Sequence, residues 1–148
     1  MMMVKQLSVF LENRNGRLDD VLKALAKNQI NIVALSLADT SDFGVLRMMV
    51  SDPEKGRDIL KAAGFTAMLT DVICIKVAHE TGSLSKAMSL LLDKVGIEYM
   101  YAFANGNNAS AVVRFRDAEK AAELLKENHV EVWPAEEVYA YKGSEVKE

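Results

Sequence analysis

Two glycine-centred turns are the stretches of this sequence whose residue types best suit binding a small anion. The first is Glu12-Asn13-Arg14-Asn15-Gly16-Arg17-Leu18 and the second is Val77-Ala78-His79-Glu80-Thr81-Gly82-Ser83-Leu84. Each joins a run of alternating apolar residues to a run with helical period. Glycine has no Cβ, so it accepts strained turn geometry and lets another group come close to the backbone. A helix opening at such a turn offers N–H groups without intrahelical partners and the positive end of its dipole, which suits a carboxylate. The expected donors are the N–H groups of residues 16–18 and 82–84. The competing reading for Gly16 and Gly82 is a tight turn that binds nothing. Asn13 or Asn15 can equally serve as a helix cap.

Other reactive residues are sparse. His79 lies in a candidate binding turn and titrates near neutrality, although a turn histidine bonded to backbone explains it as simply. His129 suits a helix C-terminus, where the dipole favours it. Cys74 lies mid-strand and reads as a small packed residue. Two histidines and one cysteine, widely separated, lack metal-ligand spacing. No nucleophile–base–orienter set, phosphate loop or recognisable acid pair is present, so no catalytic residue and no cofactor is assigned. Tyr99, Tyr101 and Phe103 alternate as in a base-stacking sheet, but a net charge of −3 without a basic block disfavours nucleic acid, and core or interface packing is the simpler reading. No apolar run reaches the ~18 residues of a spanning helix, and Met1-Met2-Met3-Val4-Lys5 is too short for a signal-peptide apolar region. A lone cysteine fits a reducing compartment. The expectation is a soluble cytoplasmic protein with no membrane partner.

The turns must be positioned by regular elements, and the patterning supplies them twice. Residues 5–11 alternate as a strand. Leu18, Val21, Leu22, Leu25 and Ala26 recur with helical period. Strands follow over residues 30–37 and 45–51, joined by a loop at residues 39–44. Asp52-Pro53-Glu54 opens a second helix, which Gly64 closes, and residues 65–69 form a fourth strand. The order is βαββαβ, an α+β ferredoxin-like arrangement with helices on one face of an antiparallel sheet. The cycle reopens with a strand at residues 72–78. Leu84, Met88, Leu91, Leu92 and Val95 mark a helix, Gly96 its end, and residues 99–104 and 110–116 a hairpin about Asn105-Gly106-Asn107-Asn108. Asp117-Ala118-Glu119-Lys120 repeats Asp52-Pro53-Glu54-Lys55, and residues 130–133 form the last strand of the cycle.

Gly16 and Gly82 stand 66 residues apart, Asp52 and Asp117 stand 65 apart, and Ile30 and Ile97 stand 67 apart. Offsets this similar along the whole chain indicate an internal duplication. The third offset implies one extra residue in the first helix of the second copy. Two modules are expected, residues 1–70 and 71–148. The second carries an added strand at residues 137–141, which aligns with 72–76 and is expected to pair with a free sheet edge of the first copy, followed by a frayed tail.

These residues resemble the ACT domain family, as two tandem copies over nearly the entire chain. The first copy carries the resemblance in its Glu12–Leu18 turn, in Gln29-Ile30-Asn31-Ile32 and in Val50-Ser51-Asp52-Pro53-Glu54-Lys55. The second carries it in His79-Glu80-Thr81-Gly82-Ser83-Leu84, Gly96-Ile97-Glu98 and Asp117-Ala118-Glu119-Lys120. The first turn is similar to a Glu-Asn-Arg-Pro-Gly pattern of serine-sensing members, with Asn15 in the place of Pro. In the second copy His79 stands for Asn13 and Glu98 for Asn31, so the two sites need not bind alike. The resemblance implies a non-catalytic regulatory module with a free amino acid as ligand, a metabolic enzyme as partner and a homodimeric assembly. It also implies side-by-side pairing of modules, within one chain or between chains, with ligand sites where modules meet. One site would use Asn13, Arg14, Asn15, Gly16, Arg17 and Leu18 with Glu98. The other would use His79, Glu80, Thr81, Gly82, Ser83 and Leu84 with Asn31. The turn N–H groups would take the carboxylate, and carbonyls or the Asn13, Asn31 and Glu98 side chains the ammonium. Asn31 as a strand-end residue and Glu98 as a solvated one are the plainer readings. The alternatives in function are a small ferredoxin-like enzyme using His79, and a purely structural oligomerisation module.

Overall fold

Leu7, Val9 and Leu11 are buried; on the other face Phe10 and Glu12, at the end of the strand, are exposed while Gln6 and Ser8 are covered. The leucine–valine face lies on a core, as the period of a strand requires. The computed structural model of the chain describes residues 3–12, 16–39, 43–105 and 108–141, and the side chains of all of these except Asp39 and Asn105. Among them are six strands and five helices. The chain divides into two compact units. One is Lys5–Thr70 with Val138–Tyr141; the other is built on Asp71–Glu137 and includes residues 3–4.

In the first unit the elements run β1 (Met3–Glu12), α1 (Arg17–Lys27), β2 (Ile32–Asp39), β3 (Phe43–Val50), α2 (Pro53–Ala62) and the opening part of β4 (Thr66–Ala78). The strands lie in the order β2-β3-β1-β4. Val21 and Leu25 of α1 and Leu60 of α2 pack with Leu7, Val9, Leu46 and Met48 into one core. In the second unit the rest of β4 is followed by α3 (Ser83–Ser89), β5 (Ile97–Asn105), β6 (Asn108–Phe115) and α4 (Ala118–Glu127), with the order β4-β6-β5. Ile73, Ile75, Leu91, Val113, Phe115 and Leu125 fill a second core. The antiparallel ladders repeat in register. Leu7 faces Met48 as Ile73 faces Val113, and Ile32 faces Val50 as Ile97 faces Phe115, each pair followed by an irregularity at the next residue.

Four expectations need correction. Residues 65–69 and 72–78 are not separate strands but one strand, β4, because Thr70-Asp71 holds neither glycine nor proline to break it. The strand of residues 130–133 shrinks to an isolated bridge, Ile75 to Val132, flanked by bonds from Lys76 N to the Glu131 carbonyl (2.9 Å) and from Trp133 N to the Cys74 carbonyl (2.8 Å). The helix read from Leu84 to Val95 ends at Ser89 and continues as turns. The added strand at residues 137–141 is instead a helix, α5 (Ala135–Ala140), with Glu136 and Glu137 in its first turn beside the positive end of the dipole. That segment still reaches the first unit, but through side chains. The Tyr139 hydroxyl accepts from Lys5 N at 2.8 Å, and Asn31 Nδ2 donates to the Tyr141 carbonyl at 3.4 Å.

The helix ends are built alike in both units. Asp52 caps α2 by accepting from Lys55 N, and Asp117 caps α4 by accepting from Lys120 N, both at 3.1 Å. Replacing either by Ala is expected to lower stability by about 1 kcal/mol, read by denaturant unfolding. After α2 the chain turns through Gly64 at φ 92°, and after α4 through His129 at φ 55°. A left-handed L-residue is strained by about 1–2 kcal/mol. His129→Gly should therefore raise the thermal midpoint and Gly64→Ala lower it. No heavy atom lies within 4 Å of a Cβ built on Gly64, so there the backbone alone sets the sign.

Candidate functional site

The first turn enters α1 through Gly16 at φ 89°, ψ −10°, and the second enters α3 through Gly82 at φ 87°, ψ −10°. A Cβ built on either glycine would meet nothing within 4 Å. Backbone conformation, not crowding, is what selects glycine at both positions. Asn13, Arg14 and Asn15 lie outside the described residues. The Gly16 carbonyl accepts from Asp20 N at 2.9 Å, the first bond of α1. The N–H groups of Arg17, Leu18 and Asp19 precede that ladder and point out of its start, where Asp19 and Asp20 complement the dipole.

Arg17 is the most distinctive group here. Its guanidinium lies 4.1 Å from the centre of the Phe65 ring, a cation–π distance. Its Nη1 is 3.7 Å from the exposed Asp20 carboxylate, and its Nε is buried without a hydrogen-bond partner. A recess of about 280 Å³ opens beside it, between the end of β1 and the α2–β4 turn, with Phe10, Glu12, Phe43 and Phe65 among its walls. Phe10 and Phe43 meet edge to face, their ring centres 5.8 Å apart. Leu18 is half-buried and packs against the first core.

The second turn carries hydrogen bonds of its own. Glu80 N donates to the Ala78 carbonyl (2.9 Å) and Ser83 N to the Glu80 carbonyl (3.2 Å), so one of the three expected donors is already engaged. His79, Glu80 and Leu84 come together with Phe103 on a recess of about 320 Å³ whose remaining wall is mostly alanine. Thr81 is exposed. Ser83 faces a different recess, of about 440 Å³, with Lys76, Lys86, Asn108 and Glu131.

Asn31 and Glu98 have local partners. Asn31 exchanges bonds with Ser51, its N–H donating to Ser51 Oγ and its carbonyl accepting from Ser51 N, both at 2.9 Å. Gly96 accepts from Arg116 N in the same way, so Gly96, not Glu98, is the repeat partner of Asn31. Ile97 corresponds to Ile32, not to Ile30, and the second unit is one residue shorter over this stretch, not one longer. Glu98 sits at the irregularity of β5, as Val33 does in β2. Its carboxylate is 3.6 Å from Arg114 Nε, and Arg114 Nη1 donates to the Asp71 carbonyl at 2.8 Å.

Cys74 is buried, and burial pushes its thiol up to about 12. It stays protonated near neutrality, so a thiol reagent at pH 8 is expected to label the folded chain at under a hundredth of the rate seen in denaturant. Rapid labelling of the folded chain would contradict this packing. Among the described residues no group of three His, Cys, Asp or Glu side chains is placed to hold a metal ion, and no helix is long and apolar enough to cross a membrane. The wall residues Phe10, Phe43, Phe65 and Lys76 were not singled out by sequence reasoning. The signal that marks them is the change of residue type between copies at matching positions.

Two units in tandem, βαββαβ in the first and βαββα with a closing bridge in the second, each entering its first helix through a left-handed glycine, define a pair of ferredoxin-like modules. Residues 2–140 match the ACT domain pair, and the chain belongs to that family. Protein BT0572 from Bacteroides thetaiotaomicron is 45% identical, with a TM-score of 0.90 over 95% of this chain and 98% of that one. The ligand-free regulatory subunit of aspartate kinase from Thermus thermophilus shares the fold at 15% identity, with a TM-score of 0.65 over 87% of this chain and 92% of that one. Aspartokinase III from E. coli, in complex with lysine and aspartate, shares it at 14% identity and a TM-score of 0.52, over 86% of this chain and 31% of that one. No curated protein matches the sequence.

Proposed function

We propose that this chain is a non-catalytic sensor. Its two modules, residues 1–70 and 71–148, bind a free amino acid at the turns into their first helices and thereby regulate an enzyme partner or the assembly of the chain with a second copy. The observation that carries this reading is the pair of left-handed glycines, Gly16 and Gly82, each opening a helix beside a recess. Free N–H groups at a helix start favour a carboxylate. A recess of about 280 Å³ is close to the ~300 Å³ lower bound of small-molecule pockets, a size suited to a ligand of a few heavy atoms. The two turns differ: Arg17 stands where the second copy has Ser83, and residue 13 is Asn where the second copy has His79. They are therefore unequal sites, and the first is the stronger candidate for a carboxylate. Lysine and aspartate, held by aspartokinase III, join the other common amino acids as probes.

Regulation follows only if the ligand prefers one conformation or association state over another. The test is thermal unfolding of the chain with each amino acid in turn. A binder at ~100 times its dissociation constant adds about 2.7 kcal/mol of stability and raises the midpoint by several degrees. Unchanged midpoints with every amino acid would refute the sensor.

A further inference from the structure

The two units carry a recess at the same place in the repeat, and four matching wall positions differ in residue type. In the first unit the walls include Phe10, Arg17, Phe43 and Phe65. Steps of 65 or 66 residues carry these positions to Lys76, Ser83, Asn108 and Val130, and all four line the 440 Å³ recess of the second unit. The ladders confirm the match, since Glu12 pairs with Phe43 as Ala78 pairs with Asn108. The duplicated recess has thus kept its position, while the matching positions carry three phenylalanines and an arginine in one copy and a lysine, a serine, an asparagine and a valine in the other. In the second copy two lysines line the recess, Lys76 and Lys86, and Lys76 lies 4.4 Å from the Trp133 ring centre and 3.7 Å from the Glu131 carboxylate. In the first, the guanidinium lies 4.1 Å from the Phe65 ring centre, and among the described residues its polar contact is a 3.7 Å pair to an exposed aspartate. A planar fork fixed in this way is suited to take a carboxylate through two parallel N–H bonds, and the three phenyl rings then face whatever the carboxylate is attached to.

We infer that the recess of the first unit binds an amino acid with an aromatic or large aliphatic side chain, its carboxylate on Arg17 and its side chain against Phe10, Phe43 and Phe65, and that the matching recess of the second unit does not bind it. This deepens the sensor reading and rests on it. Glu12, a carboxylate, lines the same recess. A polar side chain would lose its water against phenyl rings with no hydrogen bond in return.

The test is calorimetric titration of the full chain with L-phenylalanine and L-leucine, and with L-serine and L-aspartate. The expected result is one apolar amino acid bound per chain, at least tenfold more tightly than either polar one. Arg17→Met should weaken that binding at least tenfold, as loss of a hydrogen bond to a charged group does, and Arg17→Lys should not restore it. Phe43→Ser, at a position 40% exposed and therefore tolerant in folding, should weaken phenylalanine binding several-fold. Lys86→Ala in the second recess should change nothing. Preference for serine or aspartate, or unaltered binding in Arg17→Met, overturns this assignment. If a polar amino acid binds and Gly16→Val abolishes it, the recess assignment falls and the turn reading survives. If none of the four binds, the recess assignment falls, and the sensor reading falls with it only if the midpoint is also unchanged by every other amino acid.

Discussion

Gly16→Val will abolish amino-acid binding at the first turn and cost about 1–2 kcal/mol of stability. The sequence alone suggests only the first effect, because a side chain there would block approach to the N–H groups while the exposed turn left the fold intact. The structure adds the second. Gly16 sits at φ 89°, a region that strains any L-residue and a β-branched one most of all. Since no heavy atom lies within 4 Å of the built Cβ, this cost is backbone strain and not a clash. Gly16→Asn separates the two effects. Asparagine adopts the left-handed region readily, so it should retain most of the stability while its side chain still crowds the helix start. Calorimetric titration with the amino acid that most raises the unfolding midpoint, alongside denaturant unfolding, reads both variants. Wild-type affinity in Gly16→Val would move the site elsewhere.

The largest losses of stability should come from Leu25→Ala and Leu125→Ala. Both leucines are fully buried, one in each core, and truncation removes apolar contacts while leaving a cavity. Such changes cost about 2–5 kcal/mol, a large part of the ~5–15 kcal/mol available to a typical domain. Leu92→Ala is the control. That side chain is 59% exposed, and a change of under ~0.5 kcal/mol is expected. Denaturant midpoints with unchanged slopes would establish the contrast. Equal effects at Leu92 and Leu125 would contradict the assignment of the second core.

The features legible in the sequence are those set by local chemistry. The aspartates at 52 and 117 announce caps because a short carboxylate at that position satisfies a helix N–H. Gly16, Gly82 and Gly64 announce left-handed turns because other residues are strained there. The duplication followed from matching these marks. What the sequence concealed depends on tertiary context. Nothing local distinguishes one long β4 from two strands, since its continuity reflects the absence of a breaker. Residues 137–141 align with a strand of the repeat yet fold as part of α5, because the preceding Pro134-Ala135-Glu136 starts a helix and Val138 finds a buried place in it. Matching Ile30 to Ile97 shifted the second copy by two residues, an error that alternating aliphatic positions cannot reveal because both registers keep the same face inward. It cost Glu98 its match to Asn31, which Gly96 takes instead. The recess walls escaped notice because phenylalanines at 10, 43 and 65 are far apart in the chain and meet only when β1, β3 and the α2–β4 turn converge.

The central claim is that the start of α1 receives the carboxylate of an amino acid. Amide chemical shifts followed during titration with the amino acid that most raises the unfolding midpoint test it residue by residue. The account requires saturable movement of the Gly16, Arg17 and Leu18 amide signals, with those of the α4 cap, Asp117 to Lys120, unmoved. Saturable binding that leaves the Gly16, Arg17 and Leu18 signals in place would contradict it.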